Sequence, residues 1–153
     1  MLSHVAVDGR LITGQNPTST TDVATALVAS LGLEPVQFAL ARDDKTLAQV
    51  AKLLAGDDSV IAKIQANEQD YHLSLVGMYG FYYLKIAEST QQIEHALSLM
   101  VVAKPAIKSP MLDLKIASAQ QKLGRNALAK ETINALLETK PDYQPALEML
   151  KTL

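Results

Sequence analysis

The sequence predicts a mainly α-helical fold in which a short N-terminal β-hairpin and one helix precede a series of antiparallel helical hairpins. An Asp-Gly pair lies between two short apolar runs near the N-terminus, which is a strong hairpin signal. Strand signals end after Glu34-Pro35, and apolar residues then recur at helical spacing between short turns. Because these turns are short, consecutive helices are expected to pack antiparallel.

The hairpin is predicted over residues 5–13, with Asp8 and Gly9 as the central residues of a type I′ turn. A helix over residues 21–31 follows, with hydroxyl side chains at its start and Gly32 at its end.

Alternation in the hairpin predicts one apolar face with Val5, Val7 and Leu11 and places Ile12 on the opposite face. The helix at 21–31 is the nearest available cover, because no other strand is predicted. We therefore expect an exposed strand edge, a partly uncovered Val7 or Ile12, and self-association through that edge.

Seven further helices are predicted from capping residues, glycines and prolines. The fourth of the eight predicted helices, about residues 68–88, is expected to bury one apolar stripe, namely Leu75, Tyr79, Tyr82 and Ile86. The seven segments begin at Asp43, Asp57, about Glu68, Ser89 or Thr90, Pro110, after Gly124, and at Pro145.

Composition restricts the class of protein. The chain has 153 residues, 48% hydrophobic and 20% charged, and no apolar run approaches the roughly 20 residues of a membrane-spanning helix. The net charge is −2 and lysine and arginine are scattered, which argues against nucleic acid as a partner. Neither a signal peptide nor a cysteine is present, so we expect a cytoplasmic protein that contacts no membrane.

Residues 5–32 resemble the closing segment of the ThiJ/PfpI family, which has a class I glutamine-amidotransferase-like fold. The resemblance lies in the hairpin Val7-Asp8-Gly9-x-Leu11-Ile12, the run from Thr13 through Asn16-Pro17 to Ser19, and the Ala/Leu-rich helix. It implies that residues 1–33 are the last hairpin and helix of such a domain, and that the chain is the tail of a longer protein. The family's catalytic cysteine, usually with a histidine and an acidic partner, lies upstream of this segment, so no catalytic residue is carried over.

Residues 110–153 resemble a tetratricopeptide repeat, a helix pair of about 34 residues. Gly124, Ala129, Ile133 and Pro141 follow the family pattern, whereas Leu136 and Asp113 depart from it. An earlier set of residues has the same spacing, 33 residues upstream. Ala96, Met100 and Ala103 correspond in this way to Ala129, Ile133 and Leu136, respectively. The helical part, 34–153, is therefore expected to be either tetratricopeptide-like or an irregular helical bundle.

No catalytic, cofactor-binding or metal-binding residue is predicted. Gly9 and Gly14 have phosphate-loop spacing, but Gln15 stands where that loop needs lysine. The three histidines are far apart and form no His-x-x-x-His or carboxylate pair on one helix face. The pairs Asp43-Asp44 and Asp57-Asp58 stand at helix starts, where they are expected to act as caps.

Two groups of residues are candidates for binding a protein or peptide partner. If the repeat register is right, the first helix of the pair directs Leu114, Ser118 and Gln121 into a groove. Carboxylate ligands are disfavoured there, because Leu114 and Ser118 stand in place of the basic and Asn residues of carboxylate-clamping members. The second group is Tyr79, Tyr82 and Tyr83, from a cluster of aromatics that also includes Tyr71 and Phe81. Core packing is the alternative role for this cluster.

Two hypotheses for function follow. The first is a non-catalytic helical interaction or assembly module, attached to the tail of a ThiJ/PfpI-like domain. The alternative is a part of a ThiJ/PfpI enzyme of hydrolase, glyoxalase or deglycase type, whose nucleophile lies upstream. In either case no activity is expected from these residues alone, because the thiol that would form the covalent intermediate is missing.

Overall fold

A computed structural model describes residues 2–36 and 39–153, and within them the fold is mainly α-helical with an N-terminal hairpin, as predicted. Single 3-10 turns occur at Pro17–Ser19, Glu68–Asp70 and Lys104–Ala106. The strands are β1 (Val5–Asp8) and β2 (Leu11–Gly14). The helices are α1 (Thr20–Ser30), α2 (Arg42–Leu54), α3 (Ser59–Ala66), α4 (Leu73–Ile86), α5 (Thr90–Ala103), α6 (Pro110–Lys122), α7 (Asn126–Thr139) and α8 (Gln144–Leu150).

The hairpin turn differs from the predicted type. Asp8 pairs with Leu11, so the central residues are Gly9 and Arg10 rather than Asp8 and Gly9. Gly9 has φ of 57°, and among the described residues only glycines have positive φ. Positive φ at the first central residue alone is the pattern of a type II′ turn, in which glycine takes the left-handed position and Asp8 stays in the strand.

The predicted division of the hairpin faces is wrong. Val7 stands directly opposite Ile12, so these two side chains share a face and Leu11 lies on the other. The error does not come from the turn, because a two-residue loop at either position pairs Ile12 with an odd-numbered residue of the first strand, Val5 or Val7. Val7 is exposed and Ile12 is half-buried, and the sheet has only two strands among the described residues. The expectation of partly uncovered apolar residues is therefore confirmed, whereas self-association stays a prediction.

The N-terminal unit, residues 2–33, contacts the helical part through a few side chains. Leu2 packs against the core between α2 and α4, and the hydroxyl of Thr21 lies 3.5 Å from Asp44 Oδ2. Thr18 forms a side-chain hydrogen bond with Tyr79 of α4. Helix α1 itself has no buried residue.

Side-chain hydrogen bonds at predicted capping positions mark the starts of α5 and α3. The Ser89 hydroxyl accepts from the Gln92 amide while the Gln92 side chain accepts from the Ser89 amide, which completes a capping box at α5. Asp57 accepts from the amide and hydroxyl of Ser59 at α3.

Helix α4 begins at Leu73, later than the predicted start near Glu68. Tyr71 is extended and buries its ring in the core, which requires the chain to leave helical geometry before α4. The amide of His72 then donates to Thr46 Oγ1 at 2.8 Å, which satisfies this donor at the break.

The predicted apolar stripe of this helix is also partly wrong. Tyr79 is buried, but Tyr82 and Ile86 are exposed. The buried face of α4 is instead formed by Leu73, Val76, Gly77, Tyr79, Gly80 and Leu84.

The helices form three consecutive hairpins, α2–α3, α4–α5 and α6–α7, and α8 covers the end of the third. Helix α4 contacts α2 on one side and α6 on the other, and α5 contacts both α3 and α6. Three clusters of buried side chains follow this order, centred on α2 to α5, then on α4 to α6, and then on α6 to α8. No helix in the described parts of the chain has the length and apolar character to cross a membrane.

Helices α4 and α5 pack closely because α4 has glycine at two contact positions. A Cβ atom on Gly80 would lie 2.7 Å from the carbonyl oxygen of Ala96, and one on Gly77 would lie 2.9 Å from the Cβ of Ala103. Neither distance leaves room for a methyl group, so the close packing requires glycine at both positions.

Replacing Gly80 by alanine should lower the free energy of unfolding by about 1–3 kcal/mol, because the Ala96 carbonyl belongs to the backbone of α5 and cannot rotate away. In an exposed helix interior, the same replacement would instead stabilise by up to about 1 kcal/mol. Urea unfolding followed by circular dichroism measures the difference. The control is Ser74→Ala on the exposed face of the same helix, for which the change should stay within about 0.5 kcal/mol. Equal stability of Gly80→Ala and the wild type would contradict the close packing.

A chain beginning at Ala39 should keep its helical circular dichroism and unfold cooperatively. Apart from Leu2, the three core clusters consist of side chains from Leu47 onward. The shortened chain loses the packing of Leu2 and the Thr18–Tyr79 hydrogen bond, so we expect a stability loss of about 1–3 kcal/mol. A broad, non-cooperative melt would show that the N-terminal unit belongs to the same folding unit.

Candidate functional site

A cleft of about 470 Å³ lies between α4, α6 and the segment that joins α5 to α6. Gly77, Ile107 and the buried Leu112 lie at its base, and the more accessible side chains are those of Met78, Phe81 and Met111. Ser74, Ala106, Lys108 and Ser109 complete the lining. We call this cleft, together with the adjoining Tyr82, Lys85 and Lys115, the α4–α6 groove.

Local sequence explains why this cleft stays open. The face of α4 opposite its buried side carries five residues at helical spacing, namely Ser74, Met78, Phe81, Tyr82 and Lys85. Pro110 begins α6 immediately after the joining segment, which brings Met111 and Leu112 to the other side of the cleft. Met78 and Met111 are flexible and polarisable, and such side chains adapt to partners of different shape.

Lysine side chains surround this apolar surface. The Lys85 ammonium lies 5.4 Å from the centroid of the Phe81 ring and 4.9 Å from that of Tyr82. Lys115, on α6, places its ammonium 5.6 Å from the same Phe81 ring. Such distances favour cation–π attraction. Lys85, Lys108 and Lys115 form no ion pair with any carboxylate of the described residues, whereas Lys104 is paired with Asp113 at 2.8 Å.

The three predicted tyrosines occupy different environments. Tyr79 is only 5% exposed, and its hydroxyl is hydrogen-bonded to Thr18. Burial raises the pKa of that hydroxyl, and the hydrogen bond acts in the opposite sense. Tyr83 is half-buried against the core between α4 and α6, and Tyr82 is 45% exposed beside Phe81, with the two rings edge to face. Of the three, Tyr82 is the one beside the groove.

Leu114, Ser118 and Gln121 lie on α6, but two of them are engaged by the C-terminal segment. Leu114 packs against the cluster formed with α7 and α8, and Gln121 Nε2 donates to the Thr152 carbonyl at 3.2 Å. Ser118 is half-buried one helical turn beyond Lys115. These three residues do not line the cleft, and their contact with a partner stays a prediction.

Sequence reasoning missed Met78, Met111, Lys85 and Lys115 as groove residues. The available signal was the spacing of Met78, Phe81, Tyr82 and Lys85, which mixes apolar and basic side chains on one helix face.

A second cleft of about 340 Å³ separates the N-terminal unit from α2. Its lining includes Thr18, Thr21, Asp22 and Asp44, and hydrogen bonds join Ser3 to Asp22 and Thr21 to Asp44. Of these two bonds only the one from Thr21 to Asp44 joins the N-terminal unit to α2, because Ser3 and Asp22 both belong to that unit.

Two histidines pair with aspartates from other helices, which sequence spacing did not indicate. His72 Nδ1 lies 2.8 Å from Asp43 Oδ1, and His95 Nε2 lies 3.1 Å from Asp58 Oδ1. Asp43 lies in the first turn of α2 and Asp58 is the N-cap residue of α3, but neither helix start has a side-chain cap hydrogen bond, so only the position of these aspartates is as predicted. No cluster of three His, Cys, Asp or Glu side chains that could hold a metal ion occurs within residues 2–36 and 39–153.

Hydrogen bonding at the start of α3 affects the pKa of Asp57. The Ser59 hydroxyl, which donates to Asp57 Oδ1, lowers the pKa of that carboxyl. Asp57 is fully exposed, so this pairing orders the turn and provides no enclosed acid or base.

Comparisons with protein-family models, with curated proteins and with solved structures return no match to this chain.

Replacing Tyr79 by phenylalanine should lower the free energy of unfolding by about 0.5–1.5 kcal/mol, because it removes the hydrogen bond with Thr18 inside the fold. The matched change, Tyr82→Phe, removes a hydroxyl from a side chain that is 45% exposed and should stay within about 0.5 kcal/mol of the wild type. Urea unfolding of both variants provides the comparison. Equal effects of the two changes would contradict the different roles assigned to these tyrosines.

Proposed function

We propose that this chain is a non-catalytic helical protein-interaction module that receives a peptide or helix of a partner in the α4–α6 groove. The observation that carries the proposal is the open apolar cleft between two helices, where Met78 and Met111 are exposed and Phe81 is half-buried although three apolar clusters of the described residues are buried. Exposed apolar side chains around a concave site are typical of binding surfaces.

Stacking of the helical hairpins supports this proposal. The first helices of successive pairs, α2, α4 and α6, contact one another in order, and the groove lies between two of them. Tetratricopeptide-like stacks also present the first helices of their pairs to ligands, so the proposal extends to that type of architecture for residues 34–153.

The proposal also includes attachment of this module to the tail of a ThiJ/PfpI-like domain at residues 1–33. Its support is the resemblance of residues 5–32, together with the order of hairpin and helix in β1, β2 and α1. Val7, Leu11, Leu27 and Leu31 are all exposed, which is consistent with a hairpin and helix that other strands or helices would cover.

The groove is tested on the full chain by selecting binding peptides from a displayed library of random sequences. Each peptide has about 15 residues, which allows three to four helical turns. Selected peptides should bind wild-type protein and lose at least about tenfold in affinity, about 1.4 kcal/mol, on Met111→Asp. Leu128→Asp is the matched control, because Leu128 is 46% exposed on α7 and does not line the cleft, whereas Met111 is 51% exposed.

Isothermal titration with the selected peptides measures these affinities. Peptides that bind Met111→Asp and Leu128→Asp equally well would place the binding surface elsewhere, and failure to select any binding peptide would count against an interaction module.

A further inference from the structure

We infer that the partner segment in the α4–α6 groove is an acidic amphipathic helix of about three turns. It places apolar side chains between Met78 and Met111 and carboxylates beside Lys85, Lys108 and Lys115. This inference rests on the proposed function and specifies the chemistry of the partner.

Charge complementarity provides the first argument. The residues that line the cleft include Lys108 and no acidic side chain, and Lys85 and Lys115 stand beside the same surface. The three lysines lack ion-pair partners among the described residues, in a protein whose net charge is −2. The groove is therefore locally basic on an acidic protein, and an acidic segment is attracted there while the chain's net charge opposes its binding elsewhere.

The position of two lysines strengthens this argument. Lys85 and Lys115 come from different helices, yet their ammonium groups lie 5.4 and 5.6 Å from the centroid of the Phe81 ring. Attraction to an aromatic ring is weaker than a charge-assisted hydrogen bond to a carboxylate. A carboxylate beside either ammonium group would form such bonds at a partly desolvated surface, where they are stronger than in water.

Backbone geometry favours a helix over an extended peptide. An extended peptide gains affinity by pairing with a free sheet edge, but this groove is bounded mainly by α4 and α6, whose backbone groups are bonded within each helix. Recognition must therefore use side chains. From Ser74 to Lys85 the groove face of α4 extends about 17 Å, which is the length of a helix of about 11 residues.

The test uses two synthetic peptides of about 15 residues that share leucines at helical i, i+4, i+7 and i+11 positions. One carries glutamate and the other carries lysine at the positions that flank the leucine stripe. We expect the acidic peptide to bind the full chain at least about tenfold more tightly than its basic counterpart. We also expect this difference to shrink as salt concentration rises.

Charge reversal on the protein should reverse the preference. In the double variant Lys108→Glu and Lys115→Glu, the basic peptide should become the tighter ligand. The matched control is Lys130→Glu with Lys140→Glu, two exposed lysines that do not line the cleft, and it should keep the preference for the acidic peptide. Circular dichroism of each variant checks that the fold is retained.

Other outcomes separate this inference from the proposed function. Equal binding of both peptides, with affinity lost on Met111→Asp, would overturn the acidic partner and leave the interaction groove in place. The same holds if neither peptide binds while the selected library peptides do.

Two further results would also overturn the inference. The first is binding to phosphatidylserine vesicles without binding to the acidic peptide, which would assign the lysines to a membrane surface. The second is a concentration-dependent dimer that is lost in Met111→Asp, which would assign the groove to a second copy of the chain.

Discussion

The close contact of α4 with α5 is the constraint on which the rest of the helical part depends. Gly80 lies against the backbone of Ala96, and Gly77 lies against Ala103 and Ile107. Because the contact with Ile107 also draws the segment after α5 beneath α4, helix α6 begins beside α4 instead of continuing away from it. The same two glycines therefore determine the central core and the cleft between α4 and α6.

Under the proposed function, Tyr79 and Phe81 divide stability and recognition between two faces of α4. Tyr79 lies in the core, and its hydrogen bond with Thr18 links the helical part to the N-terminal unit. Phe81 is on the other face, where it lines the cleft, contacts the second core cluster, and lies beside two ammonium groups. Because Phe81 is partly supported by the core, its ring is held in place before any partner binds, which reduces the entropic cost of binding.

Local signals in the sequence predicted the helices well but not the groove. The Ser89–Gln92 capping box and the Asp57 turn are local features, and they place α5 and α3 as predicted. The position of the hairpin turn was missed because Gly9 is a central residue of either two-residue loop, Asp8-Gly9 or Gly9-Arg10.

Features that join distant parts of the chain could not be read from spacing. Asp43 and His72 are 29 residues apart, and Asp58 and His95 are 37 apart, so neither pair has a sequence signature. The groove likewise requires α4 and α6 to be adjacent, which depends on how α5 and the following segment are packed. Apolar spacing on α4 also did not reveal that Tyr82 and Ile86 stay exposed, because the glycines at 77 and 80 turn the buried face of the helix toward α5.

Under the proposed function, the lysines at the groove serve recognition more than folding. Lys104 is paired with Asp113, and Arg125 is paired with Glu94, so acidic partners are available to basic residues elsewhere in the fold. Lys85 and Lys115 instead lie beside an aromatic ring without a carboxylate, an arrangement that adds little to stability at a solvent-accessible surface. At this surface a carboxylate from another molecule would form an ion pair with Lys85 or Lys115. That pair would resemble the one that Lys104 forms with Asp113 within the chain.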